Sequence, residues 1–350
     1  MALLLETAKN RWTAPPLESL SAVNLAGKTV LVTGASGGLG LEAARHYARL
    51  GASRVILAVR SQVKGSAAQI EIQSSLLASN NEKRCHGHNS ATSEIERQNE
   101  PILDVWTLDM ASFESVRAFA ARAVKELDRL DIVLLNAAVS KDAFTPTSDG
   151  WDETLQVNVY STVLLALLLL PKLRQTSRMQ PGWTPRLSIV VARAHEGVHL
   201  DEAWQKAPNC LRALNSADAL GGTANRYIVS KFLLVMAVRE IAKLACGTGG
   251  PDVVVTCSCP GACRSDLTRD WDSGIIHSAA LAVLHGTISK TSEEGSRTLV
   301  LATLLDEKNH GQWLNRNKIQ EVSSHILSDE GQLLQQKIWS EILEVVGPVS

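Results

Sequence analysis

The chain has 350 residues, with 35 basic and 36 acidic side chains and a net charge of −1. That length can bury a large core, as one long domain or two, and the near-zero charge gives no global attraction to nucleic acid or an anionic membrane. Apolar content is ordinary for a soluble globule.

The N-terminus, Met1-Ala-Leu-Leu-Leu-Glu-Thr7, lacks a basic region, and its apolar run is too short for a signal peptide. The longest apolar run, Val163 to Leu170, stops at Pro171, short of the ~18 residues a membrane span needs. No integral span and a cytoplasmic location are therefore expected. The six cysteines form no Cys-x-x-Cys pair. Cys257, Cys259 and Cys263 cluster on a predicted strand end and its loop, where buried or loop thiols in a reducing compartment suit them better than a metal.

Residues 1–24 read as an N-terminal extension. From residue 25 to 346, strands alternate with helices, the pattern of a single α/β domain with a doubly wound parallel sheet. Lys28 to Val32 is a short apolar strand leading into a glycine turn, and Leu39 to Leu50 then shows helical spacing. Further strands are predicted over Arg54–Val59, Pro101–Leu108, Asp131–Leu135, Arg186–Val191 and Asp252–Cys257. Helices are predicted over Ser112–Leu127, Trp151–Arg174, Tyr227–Ala245 and Ser292–Leu305. Residues 79–100 are polar and without period, a solvated insertion. Residues 196–225 and 266–289 both leave carboxyl ends of strands, where ligands bind in open α/β sheets, so they are the expected substrate walls and C-terminal lid. The apolar stretch Val163–Leu170 could serve a homodimer seam or a buried core helix.

The turn Thr33-Gly-Ala-Ser-Gly-Gly-Leu-Gly40 carries Gly34, Gly38 and Gly40 between a strand and a helix. Glycine permits the tight bend and lets a pyrophosphate approach the backbone, with the helix N-terminus beyond it; Ser36 and Leu39 belong to the same cradle. Arg60 closes the second strand after apolar Val59, where NAD would call for a carboxylate and a 2′-phosphate for a cation, so NADP(H) is the expected cofactor. Asp109 could accept from the adenine amino group or cap the next helix. Asn136, in Leu135-Asn-Ala-Ala138, lies among small residues that leave room for the adenosine side.

Tyr227 and Lys231 lie four residues apart, on one face of a helix. A free phenol has a pKa near ~10, so a tyrosine acid/base needs help. The Lys231 ammonium, with a bound nicotinamide, is expected to lower that pKa, and the lysine could also hold the nicotinamide ribose. Asn158 could hold a water relaying protons to Lys231, or mark a capped or kinked helix position.

In this order the residues resemble the short-chain dehydrogenase/reductase family, from about Leu25 to Val346. The resemblance rests on the glycine turn, on Asn136-Ala-Ala138 as a variant of Asn-Ala-Gly, and on Asn158, Tyr227 and Lys231 as three members of a catalytic tetrad. It also rests on Pro260-Gly-Ala-Cys-Arg-Ser265, which implies that Cys263 and Ser265 lie in the loop gripping the nicotinamide carboxamide, with Ser265 replacing the usual threonine. Lys290-Thr-Ser-Glu-Glu-Gly-Ser-Arg-Thr-Leu-Val300 and the helix after Asp329 resemble the fungal branch related to retinol-dehydrogenase-type members, which implies a tailoring step in secondary metabolism. The resemblance implies a Rossmann fold and ketone/alcohol oxidoreduction of a small molecule, here medium-sized and apolar by the lid's composition.

One departure matters. The family ends its fifth strand with Ser-Ser, the second serine catalytic, whereas this chain has Val191 and Ala192, with His195 keeping the register. A lost donor of this kind costs ~10²–10³ in rate. Ser188 lies too far back to substitute, and Arg193 could reach in. Two further readings thus remain: a non-redox proton-transfer enzyme (dehydratase, isomerase or cyclase) on the same fold, and a non-catalytic NADP-binding protein.

Overall fold

The computed structural model describes residues 14–21, 23–85, 100–180, 182–198, 202–219, 223–264, 267 and 289–349. Eight strands form its main sheet: β1 Thr29–Thr33, β2 Arg54–Val59, β3 Ile102–Thr107, β4 Ile132–Leu135, β5 Arg186–Val190, β6 Val254–Cys259, β7 Trp313–Asn315 and β8 Lys318–Gln320. Their spatial order is β8-β7-β6-β5-β4-β1-β2-β3. All neighbours pair in parallel except β8, which turns back on β7. The order reverses between β1 and β4, and such a switch point opens a crevice at the carboxyl ends of the strands.

Helices cover both faces, which is why the central strands read as continuous apolar runs. They are α1 Gly38–Arg49, α2 Gln62–Cys85, α3 Phe113–Glu126, α4 Ser161–Met179, α5 Thr223–Leu244, α6 Ser292–Ala302 and α7 Asp329–Val346. Side chains alternate across β1: Val30 and Val32 join a core with α1, α2 and α6, while Leu31 joins a core with α3, α4, α5 and α7. Leu20 and Leu25 are buried in the first of these cores.

The predicted strands recur within about two residues and the predicted helices within about five, with four differences. The helix α2 was not expected, because its apolar residues lack a sustained period: Ala68 and Ile72 are buried while Val63 and Ile70 face solvent. The polar insertion predicted from Ser79 begins as the end of this helix, which runs to Cys85; residues 86–99 lie outside the described residues. The short strands β7 and β8, of three residues each, are too brief to show a period. Strand β6 lies two residues later than predicted, since Asp252 N donates back to Ala245 O at 3.0 Å and the sheet starts only at Val254. That shift draws Cys259 out of the loop and into the strand end.

The stretch Val163–Leu170 is buried except for Leu168, and α3 and α5 pack against its helix, so its apolar character belongs to the chain's own core. One helix, Glu153–Met179, is long and apolar enough to cross a membrane by composition, and 89% of its apolar window is buried inside the fold.

A buried ion pair fixes the start of α5. Asp152 caps the helical turn Glu153–Leu155, accepting from Thr154 N and Leu155 N, and its other oxygen lies 3.3 Å from Arg226 Nη1. Arg226 directly precedes Tyr227, and both charged side chains are sealed from solvent. Removing one member leaves the other charge buried and unpaired. Asp152→Ala is therefore expected to lower the unfolding free energy by ~3–5 kcal/mol. Urea denaturation checks this; an unchanged midpoint would show the pair to be dispensable.

Candidate active site

The glycine turn follows β1 at the switch point. Gly34 and Gly38 adopt φ of 68° and 55°, which side chains disfavour. Gly40 is held by space: a Cβ there would lie 2.3 Å from Gly34 O and 2.6 Å from Asn136 Nδ2. The α1 helix opens at Gly37, which offers no side-chain cap, and no acidic residue occupies its first turn. Its first amides are thus open donors at the positive end of the helix, the chemistry a pyrophosphate requires. Ser36 and Leu39 are half-buried in the turn, and Leu39 Cδ2 would come within 2.8 Å of a Cβ on Gly295, so α6 packs directly behind it.

Asn136 supports this turn from below. Its Nδ2 donates to Thr33 O at 3.0 Å, while Asn136 N and Ala137 N both donate to Thr33 Oγ1, at 2.9 and 3.0 Å. The sequence placed Asn136 against the cofactor; the structure turns its amide group onto the strand end, so it shapes the cradle. At the far end of the crevice, Arg60 is exposed, with Glu153 as a distant partner at 3.9 Å. It is free to turn toward a 2′-phosphate. Asp109 does not cap α3: Ser112 does, accepting from Ser115 N. Asp109 Oδ1 accepts from Ala111 N at 2.9 Å, which holds the carboxylate at the end of β3.

Tyr227 and Lys231 lie on α5, with Lys231 Nζ 5.8 Å from the tyrosine ring centre. Lys231 is buried and donates to Val190 O at 2.8 Å. Burial pushes its pKa down to about 8, opposed by attraction to Cys259. The expectation that this lysine depresses the Tyr227 pKa is not met in the protein alone. Burial raises the phenol, and Cys259 adds to the rise. Burial keeps the proton on the Tyr227 phenol at neutral pH.

Asn158 lies in a π-helical turn, Gln156–Tyr160, just before α4. Such turns displace a helix side chain and recur at functional sites. Its Nδ2 donates to Val139 O and Ser230 Oγ, each at 2.9 Å, and its Oδ1 accepts from Val139 N at 2.9 Å. Both amide hydrogens are therefore taken within the fold, and of the two sequence alternatives the π turn fits the kinked-helix position, with Asn158 as a positioning side chain. It clamps the loop after β4 to α5, where Ser230 in turn donates to Tyr227 O at 2.6 Å.

Ala192 follows β5 in extended conformation, half-buried at the mouth of the crevice. Arg193 does not fill the gap: its guanidinium Nε donates to Glu196 at 2.8 Å. Ser188 is fully buried within β5, and its hydroxyl has no partner among the described residues. Cys263 is half-buried against α6, its thiol pushed up to about 12 by burial. Ser265, Gly221-Gly222 and nearly all of the 266–289 segment lie outside the described residues.

Two residues at this site escaped the sequence reading. Lys290 is buried beside the Pro260 loop, its Nζ donating to Pro260 O at 3.2 Å, and its main chain bridges Cys263. Cys259, read from the sequence only as a buried or loop thiol, comes to the end of β6 through the strand shift, where Arg193 N donates to its Sγ at 3.3 Å. A capping box between Thr291 and Glu294 gave a sequence signal for the helix after Lys290, but none for the lysine's burial.

Comparison with known proteins fits this geometry. Residues 74–180 match the sequence profile described as short chain dehydrogenase. The chain is 35% identical over 324 residues to the short chain dehydrogenase/reductase dmxR8 of Cryptosporiopsis sp., covering 92% of this chain and 91% of that protein. It is 33% identical over 325 residues to the short-chain dehydrogenase/reductase phmF of Phaeosphaeria nodorum, covering 92% and 87%. Among solved structures, a protein from Shigella flexneri, described as a short chain dehydrogenase and complexed with NADP, shares the fold with a TM-score of 0.56 and 22% identity, covering 85% of this chain and 100% of that one.

The close approach at Gly40 gives a test. Gly40→Ala is expected to weaken nicotinamide dinucleotide binding at least tenfold, about 1.4 kcal/mol, because the turn must open to admit the methyl group. Gly197→Ala, where a Cβ meets nothing within 4 Å, should bind as the wild type does. Fluorescence titration of both variants decides the matter, and equal affinities would remove the turn from the binding site.

Proposed function

Because the chain belongs to the short-chain dehydrogenase/reductase family, in its fungal branch, we propose that it is an NADP(H)-dependent oxidoreductase. Its substrate on this reading is a ketone or secondary alcohol of a medium-sized, largely apolar metabolite, in a tailoring step of secondary metabolism. The carrying observation is that an uncapped helix N-terminus behind a glycine turn opens into the same crevice as a protonated Tyr227. One part suits a dinucleotide phosphate and the other suits a carbonyl oxygen.

When bound, the reduced nicotinamide supplies a hydride to the carbonyl carbon. The glycine turn and the α1 amides would hold the pyrophosphate, Arg60 the 2′-phosphate, Asp109 the adenine and Lys231 the nicotinamide ribose. Tyr227 gives its proton to the oxygen as negative charge grows there, and a phenol that retains its proton at neutral pH is suited to that direction. Lys231 then faces a developing phenolate in a dry site, where its cation counts for most. Asn158 keeps the loop after β4 and the Tyr227 turn in fixed relation, which preserves the distance between acid and substrate. Cys210, Cys246, Cys257, Cys259 and Cys263 are free thiols, which suits a reducing compartment such as the cytoplasm.

NADPH is expected to bind at least ten times more tightly than NADH, about 1.4 kcal/mol, and Arg60→Glu should shrink or reverse the difference. Equal affinities in the unmutated protein would count against the assignment. Tyr227→Phe removes one hydroxyl that has no hydrogen-bond partner among the described residues, so folding and NADPH binding should persist. NADPH oxidation with a ketone panel should largely disappear. Full turnover in that variant would overturn the acid role of Tyr227, and a wild type that binds NADPH but oxidises none of it would favour a non-redox reaction.

A further inference from the structure

Ala192 leaves a substrate oxygen short of one donor, and the described side chains around it narrow what could take that place. The Arg193 guanidinium pairs with Glu196. Among the described residues, the hydroxyls of Ser188 and Ser258 and the Nε2 of His195 are sealed in the interior without partners. His195 packs edge-on against Trp313 at 4.7 Å, and its Nδ1 donates back to Ala192 O at 2.7 Å.

Cys259 differs from these. Strand β6 pairs with β5 in parallel, Ser258 opposite Val190, so Cys259 comes level with the chain leading into Ala192. Val191 N donates to Ser258 O at 2.9 Å, which extends that register past the end of β5. Arg193 N, one residue beyond Ala192, donates to Cys259 Sγ at 3.3 Å. The Arg193 amide thus occupies an acceptor position of the thiol, whose S–H can turn elsewhere. On the other flank, Lys231 is anchored to Val190 O, the carbonyl of the residue that pairs with Ser258.

Resting on the reductase reading above, we propose that the Cys259 thiol donates to the substrate carbonyl oxygen the hydrogen bond that a hydroxyl at position 192 would have given, so that the oxygen is held between Cys259 and Tyr227. The protonation state agrees. Burial raises the Cys259 pKa, although the Gly261 and Arg193 amides and the nearby lysines oppose the rise, so the sulfur carries its hydrogen at neutral pH. The Arg193 amide on this sulfur and the Lys231 ammonium on Val190 O set both groups at the paired ends of β5 and β6. A thiol is a weaker donor than a hydroxyl, so the site trades strength for a donor rooted in a different strand. That donor approaches the oxygen from the β6 side, beside the Pro260-Gly261 loop.

The test is a double-mutant cycle on positions 192 and 259, read by NADPH oxidation with cyclic ketones including 1-tetralone and 2-decalone. Cys259→Ala is expected to lower kcat/KM about tenfold, short of the ~10²–10³ of a strong oxyanion donor, with NADPH affinity unchanged. Cys259→Ser keeps a donor and should retain or raise turnover, which separates donation from packing. Ala192→Ser should improve the Cys259→Ala protein several-fold more than it improves the wild type, since two groups serving one oxygen are not additive. Equal gains in both backgrounds, or full activity in Cys259→Ala, would overturn the assignment. A second arm needs no turnover. In NADP⁺-loaded protein, saturating 1-tetralone should slow methylthiolation of Cys259 by methyl methanethiosulfonate at least fivefold, while exposed Cys246 reacts as before. Turnover without protection would overturn the Cys259 role alone. Protection without turnover in any variant would overturn the reductase reading and keep Cys259 beside the ligand, and the absence of both would overturn the two together.

Discussion

The Thr33 hydroxyl accepts from the main-chain amides of Asn136 and Ala137, and the Thr33 carbonyl accepts from the Asn136 side chain. These bonds tie β1 to β4 where the strand order reverses. In a parallel sheet the strands would otherwise part company here, since each leads to a helix on the opposite face. Holding them together brings Asn136 so close beneath the turn that only a glycine fits at position 40. The anion cradle is consequently built from backbone amides whose positions the sheet dictates, and no side chain has to be ordered to form it. Preorganised donors of this kind need no rearrangement when charge arrives.

The same economy governs the catalytic side of the crevice. Lys231 is secured by a carbonyl of β5, Asn158 by the backbone of the loop after β4, and Cys259 by the amide of Arg193. Each polar side chain is anchored to main chain from an element other than its own. Burial then determines protonation. It drives the lysine toward neutrality and holds the proton on the phenol and the thiol. A site with its protons in place on two donors suits an incoming carbonyl. The lysine cation, modest in the protein alone, gains importance only once negative charge develops beside it.

Fold class, most strand positions, the glycine turn and the Tyr227/Lys231 pair were legible in the sequence, because each rests on local rules. Apolar runs bounded by turns mark buried strands, glycines mark backbone that no other residue can adopt, and a spacing of four places two side chains on one helix face. Ala192 was legible for the same reason, since a missing hydroxyl is a fact of composition at a known register. The helix α2 and the strands β7 and β8 were not legible. The helix buries too narrow an apolar stripe to show its period, and the strands are too short to have one.

By itself, then, the sequence determined which chemical groups the protein owns and which backbone conformations it must adopt. Only the tertiary structure decided where those groups bond. Asn158 clamps two elements because a π turn and the Val139 loop meet it from two directions. In the protein alone, burial sets the Tyr227 pKa, and that burial comes from elements distant in sequence. Cys259 entered the site because pairing between β5 and β6 set its register, and strand pairing joins residues about seventy positions apart through hydrogen bonds that no local pattern encodes.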